Sequence, residues 1–218
     1  MLQFRPHEVL VLPYSVSLHQ NNLSVACLND EQYEFSTVHK FGIITGNQEG
    51  TADTLKKPWS LDTTVPTGTL VLSLVIFQTK TFFFEEKPVL VALSTRGPFI
   101  AFGGDMEPFP GHRIEELTPS AEWSMNTCLT VLIDSFICLG NCQGQISVFS
   151  LDSYCRDGLL HCRTLQTSAR SKVHQLAGDP LQLVAADSTG KIWSWSVGKA
   201  VSFDPVLKGV ATKLVTSA

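Results

Sequence analysis

Three segments of the chain repeat one pattern at a fixed interval, and together they predict an all-β fold built as a β-propeller of four-stranded blades. Each is a β-rich run, a short polar link with glycine, and a second β-rich run that closes on an aromatic residue: Val91–Gly103, Cys138–Ser150 and Val184–Ser196. Their glycines, Gly97, Gly144 and Gly190, stand about 47 and about 46 residues apart, a period that belongs to a blade. After each glycine comes an apolar residue and then the closing aromatic, at Phe102, Phe149 and Trp195.

The physical reading of each repeat is a hairpin. Runs at 89–93, 136–139 and 181–185 lead into the glycine, and runs at 99–102, 146–151 and 192–197 leave it. The link needs a positive φ that glycine reaches without steric cost. The apolar residues after the turn fit a strand buried on at least one face, with the aromatic filling the space between neighbouring sheets. A single blade cannot hide both faces, so the next blade must supply the cover.

These segments resemble the blades of WD-repeat proteins. That family's pattern runs from a Gly-His dipeptide to a Trp-Asp dipeptide that ends the third strand. Gly111-His112 through Phe149-Ser150 follows that order, and Asp187–Gly190 with Trp195-Ser196 match the turn and closing dipeptide of the next repeat. Phe and Ser replace Trp and Asp, and the last repeat has no Gly-His, so the pattern is degenerate. The resemblance covers roughly residues 70–209. It implies a non-catalytic scaffold that holds other proteins within a multi-subunit complex. The cullin-ligase docking form of the pattern, Trp-Asp-x-Arg, is absent, since Trp195-Ser196-Val197-Gly198 and Phe149-Ser150-Leu151-Asp152 lack both the Asp and the Arg.

The whole chain, 1–218, reads as one propeller-like domain: an irregular or degenerate blade with an exposed connection over 1–68, repeat blades at 69–110, 111–157 and 158–206, and the start of a truncated blade at 207–218. Within the first part, 9–18, 23–28 and 41–45 alternate enough to be strands, while 46–68 reads as a long connection. At about 46 residues per blade the 218 residues allow roughly four to five blades. An incomplete or open ring leaves exposed edges. Three readings stay open: a fragment of a longer propeller, an open propeller completed by a partner, and a small atypical domain.

Composition narrows the function. A net charge of −4 provides no global positive field for a phosphate backbone, so no nucleic-acid partner is expected. The longest apolar stretch, near Leu70–Phe77, is far short of the roughly 20 residues of a spanning helix. Residues 1–20 carry Arg5, His7, Glu8 and Pro13 where a secretion leader needs a clean apolar centre. The expectation is a protein of the cytoplasm or nucleus with no membrane partner. Cys138, Cys142, Cys155 and Cys162 with His161 crowd together but lack two-residue knuckles, so reduced structural thiols are expected and no metal. No nucleophile elbow, zinc-protease or phosphate-loop motif appears, and neither catalytic residues nor a cofactor are expected.

For partner binding the segment around Asp105, Met106, Glu107, Phe109 and Arg113 stands out as a loop with apolar anchors and a charged rim. Phe82-Phe83-Phe84 must send at least one ring away from the other two. The competing functional class is a ligand-binding or enzymatic propeller of the pyrroloquinoline-quinone type, with its site in the central funnel. Trp193 and Trp195 fit blade packing without such a cofactor.

Overall fold

The computed structural model describes residues 22–29, 32–39, 42–47, 50–53, 76–94, 97–102, 107–108, 126–152, 161–167, 170–197 and 212–214. They form four sheets, each a four-stranded antiparallel meander. The first holds β1 (Leu23–Cys27), β2 (Tyr33–His39), β3 (Gly42–Asn47) and β4 (Gly50–Asp53). The second holds β5 (Ile76–Phe84), β6 (Lys87–Ser94), β7 (Gly97–Phe102) and β8 (Glu107–Pro108). The third runs through β9 (Asn126–Leu132), β10 (Phe136–Asn141), β11 (Gln145–Ser150) and β12 (His161–Gln166), and the fourth through β13 (Val173–Gly178), β14 (Gln182–Asp187), β15 (Ile192–Ser196) and β16 (Thr212–Leu214). Each sheet packs on the next through its first strand, as successive propeller blades do.

Three apolar clusters fill the spaces between sheets. Val38 and Ile43 meet Ile76, Leu90 and Ala92 between the first and second. Phe82, Phe84, Val91 and Ile100 meet Leu129, Ile137, Leu139 and Phe149 between the second and third. Cys128, Leu132, Cys138 and Val148 meet Leu176, Leu183, Ala185, Trp193 and Trp195 between the third and fourth. The closing aromatics Phe149 and Trp195 thus occupy equivalent places, each pressed against the preceding sheet. In the aromatic triplet Phe82 and Phe84 are buried and Phe83 is half-buried, as strand alternation requires.

The repeat boundaries differ from those expected by one strand. β12, expected to open the blade at 158–206, pairs instead with β11, with Ile146 opposite Leu165. Thr212–Leu214, expected to begin a further blade, is the outer strand of the fourth sheet, with Ile192 opposite Leu214. The reason is that the period is the same wherever the repeat is cut, while antiparallel pairing attaches each fourth strand to the blade before it. The first sheet is a full four-stranded blade, and β4 lies inside the stretch expected to be a connection, with Gly46 opposite Thr51. The expected strand at 9–18 lies outside the described residues.

The glycine turns differ in what they demand. Gly144 and Gly190 take φ of +81° and +79°. A Cβ on Gly144 would also meet Thr167 Oγ1 at 2.5 Å and the Ser171 carbonyl at 3.0 Å, whereas one on Gly190 meets nothing within 4 Å. Gly97 instead closes the β6–β7 hairpin opposite Ser94, and Phe102 pairs with Val89.

Gly190→Ala is expected to cost about 1 kcal/mol, the backbone strain alone, and Gly144→Ala about 2 to 3 kcal/mol because crowding adds to it. Trp195→Ala, which empties a site only 4% exposed, is expected to cost about 3 to 5 kcal/mol. Urea unfolding of the three variants checks this order, and equal losses for the two glycines would contradict it.

Candidate protein-docking face

The first strands of the sheets run side by side in one direction. Thr79 and Thr81 of β5 bond to Asn22 and Ser24 at β1, Gln78 of β5 bonds to Leu129 of β9, and Thr127 of β9 donates to the Val173 carbonyl of β13. The four turns joining first to second strands therefore emerge at one end. They are the turns after Cys27, Phe84, Leu132 and Gly178.

That end collects exposed aliphatic side chains. Leu28, Ile133 and Leu181 are 38%, 47% and 70% exposed, each at a different turn. The other large exposed apolar residues among those described, Leu23 and Val25, lie on the face of β1 turned away from the second sheet. The described turns of the opposite end, 142–144 and 188–190, carry none.

Local chemistry holds the tips in place. Glu85 and Glu86 join β5 to β6 as a two-residue turn with φ of +48° and +63°, which matches the twist of the flanking strands. Ile133 and Asp134 take φ of +51° and +49°. For an aspartate this is tolerable, but a β-branched residue there is a genuine outlier that stores strain. The Ser135 amide donates to the Leu132 carbonyl and fixes the turn. At the next tip the Asp179 carboxylate accepts from the amides of Leu181 (2.7 Å) and Gln182 (2.9 Å), which orders the turn that presents Leu181. The two tips are neighbours, since a Cβ on Gly178 would lie 2.0 Å from Leu132 Cδ2.

Charge divides between the ends. Glu85, Glu86, Asp134, Asp152 and Asp179 are exposed at the aliphatic end, against Lys87 alone among the described residues. Asp152 belongs there because the preceding Leu151 amide bonds to the Ser135 carbonyl. Arg170, Lys172 and Lys191 gather at the opposite end, where the Ser188 amide bonds to the Lys172 carbonyl.

Among the described residues the charged group locked inside that opposite end is Asp187. Its Oδ1 accepts from Thr189 N (2.8 Å), Thr189 Oγ1 (2.6 Å) and Lys191 N (3.0 Å), and its Oδ2 from Trp193 Nε1 (3.0 Å). Burial pushes its pKa up, but the bonds from Thr189, Trp193 and the Lys191 amide outweigh burial and hold it well below the usual carboxylate range. The tryptophan that meets this aspartate is Trp193, followed by Ser194, and not Trp195, expected to close the repeat. Trp195 serves packing. The six-residue interval from Asp187 to Trp193 was readable in the sequence.

The loop expected to bind partners is only partly placed. Glu107 lies in β8, opposite Phe102, so it belongs to the outer strand of the second sheet and not to a loop. The physical reason is that backbone pairing with β7 satisfies its amide and carbonyl groups. Asp105, Met106, Phe109 and Arg113 lie outside the described residues. Ile133 and Leu181 were missed because a lone aliphatic in a turn carries no periodic signal.

Cys138 is buried in β10 and Cys142 sits half-buried in the turn that follows. Burial pushes the Cys128 thiol up to about 11, so it stays protonated and packs as a small apolar group. Among the described residues no group of three or more His, Cys, Asp or Glu side chains is placed to hold a metal ion. Nor is any helix among them long and apolar enough to cross a membrane.

No protein-family model matches the chain, and no curated protein sequence matches it. Among solved structures, human WBSCR16 is similar at 11% identity and a TM-score of 0.52, with 95% of this chain and 56% of that one covered. The β-propeller domain of Myceliophteria thermophila Cps50 (Swd1) aligns at 10% identity and a TM-score of 0.48, over 87% of this chain and 56% of that one. The computationally designed Ika4 protein aligns at 14% identity and a TM-score of 0.44, over 87% of this chain and all of its own. The chain thus spans a little over half the length of the two natural chains. The likeness to WBSCR16 concerns the fold alone; the blades themselves define an all-β propeller.

Asp187 supplies a pH test. A carboxylate held below its unfolded pKa of about 3.9 adds stability that is present above that pH and drains away as pH falls through the folded value. Asp187→Asn is expected to cost about 2 kcal/mol at pH 7, since its amide group faces the Trp193 donor. Thermal melts between pH 7 and pH 2 check this: the variant should lose less of its Tm on acidification than the parent protein.

Proposed function

We propose that this protein is a non-catalytic, degenerate WD-repeat-like scaffold that binds another protein, as part of a multi-protein complex of the cytoplasm or nucleus, through the end formed by its first-to-second strand turns. The observation that carries this reading is Ile133. An isoleucine in the left-handed region costs about 1 kcal/mol or more, and Ile133 still leaves 47% of its surface to solvent. Strain of this kind is retained where surrounding structure imposes it and a surface makes use of it. Leu181 at the adjacent tip and Leu28 at the first add exposed aliphatics at the same end. Exposed aliphatics ringed by charge are the anatomy of an interface centre with a polar rim. The sequence-predicted partner-binding residues Asp105, Met106, Phe109 and Arg113 are a second candidate contact.

Ile133→Asn separates stability from function, because asparagine tolerates the left-handed conformation. The variant is expected to be as stable as the parent or up to about 1 kcal/mol more stable. A photo-crosslinking residue at 181 should form covalent adducts with a partner in cells, and Ile133→Asn should reduce them severalfold. The same crosslinker at 189, on the opposite end, should form none. Equal adduct formation at both ends, or adducts indifferent to Ile133→Asn, would sink this reading.

A further inference from the structure

Building on the docking reading above, we infer that the segment received at this end is basic and aliphatic: a stretch of another protein in which Lys or Arg residues stand beside Leu- or Ile-type side chains. The argument is complementarity. Every described turn at this end joins an aliphatic residue or a carboxylate to its neighbour. Leu28 stands on the first sheet, Glu85 and Glu86 on the second, Ile133 and Asp134 on the third, and Asp179 with Leu181 on the fourth. From sheet to sheet the surface therefore alternates apolar anchors with negative charge.

A wholly apolar partner segment would have to strip water from Glu85, Glu86, Asp134 and Asp152 and offer nothing in exchange. An acidic segment would add like-charge repulsion at each of these tips. Nucleic acid and anionic membrane are repelled for the same reason, and the basic residues Arg170, Lys172 and Lys191 that would attract them project from the other end. A basic, aliphatic segment satisfies both components: its apolar side chains cover Ile133 and Leu181, while its cations meet the carboxylates at the rim. The Asp179 carboxylate is already fixed by the Leu181 and Gln182 amides, so this negative charge is held in place before a partner arrives.

Fluorescence anisotropy with two labelled 16-residue peptides, one of alternating Leu and Lys and one of alternating Leu and Glu, tests the inference on the full chain. The Leu/Lys peptide is expected to bind at least tenfold more tightly than the Leu/Glu peptide. Raising salt from about 0.05 M to about 0.5 M should weaken it severalfold, because the rim charges become screened. The double variant Glu85→Lys, Glu86→Lys and the double variant Ile133→Asn, Leu181→Ser should each weaken it at least fivefold. Arg170→Glu at the opposite end should leave it unchanged or slightly tighter. Equal binding of the two peptides, or binding indifferent to the Glu85 and Glu86 reversals, overturns the inference. The two failures can be told apart: if crosslinks at 181 persist while charge reversal changes nothing, the docking face stands and its basic ligand falls. If the crosslinks are absent too, both fall.

Discussion

A four-stranded meander has two apolar faces and no means of covering either, and everything else in this molecule follows from stacking one blade on the next. The contact is made first by the innermost strands, where backbones come close and polar groups must be matched. Gln78 solves this between the second and third sheets: its side-chain amide donates to the Leu129 carbonyl and accepts from the Leu129 amide, both at 3.0 Å, and so acts as a backbone bridge across the gap. Between the first and second sheets four buried hydroxyl residues do the same work. Ser36 bonds to Thr79 and accepts from Thr81, and Ser24 accepts from the Thr81 amide. Unpaired, such groups would cost more than they contribute; paired, they set which strand faces which.

Once the inner strands are aligned, the direction of every turn is settled. The first-to-second strand turns share one end and the second-to-third strand turns the other. The two ends then diverge in chemistry. At one, tight bonding around Asp187 stabilises the turn that Gly190 closes, with the carboxylate spent entirely on internal donors. At the other, Ile133 closes its turn in a conformation that suits it poorly, and Leu28, Ile133 and Leu181 are exposed to solvent. The tightly bonded end and the strained end belong to the same blades.

The outer face of the first sheet adds a second asymmetry. Leu23, Val25 and Cys27 occupy alternate positions of β1 and are all exposed, while Ser24 between them is buried against the second sheet. Among the described residues the strands of the first and fourth sheets do not make the contacts that successive sheets make. The first sheet therefore carries an apolar row on the face of β1 turned away from the second sheet.

The sequence alone determined the blade: the recurrent glycines, the alternating runs on either side and the closing aromatics are local consequences of turn geometry and strand burial, and the structure places Phe149 and Trp195 as the pattern required. It also held the interval from Asp187 to Trp193, although only the bonded pair identifies which tryptophan matters. What tertiary structure decided is where each blade begins and ends, and which turns share a surface. Periodicity is blind to the phase of a repeat, so β12 and β16 could be assigned only by their hydrogen-bonded neighbours. Ile133 and Leu181 lie about 48 residues apart in the chain, and each by itself is an ordinary aliphatic in a turn. They become one face only because parallel inner strands bring successive turns to the same end.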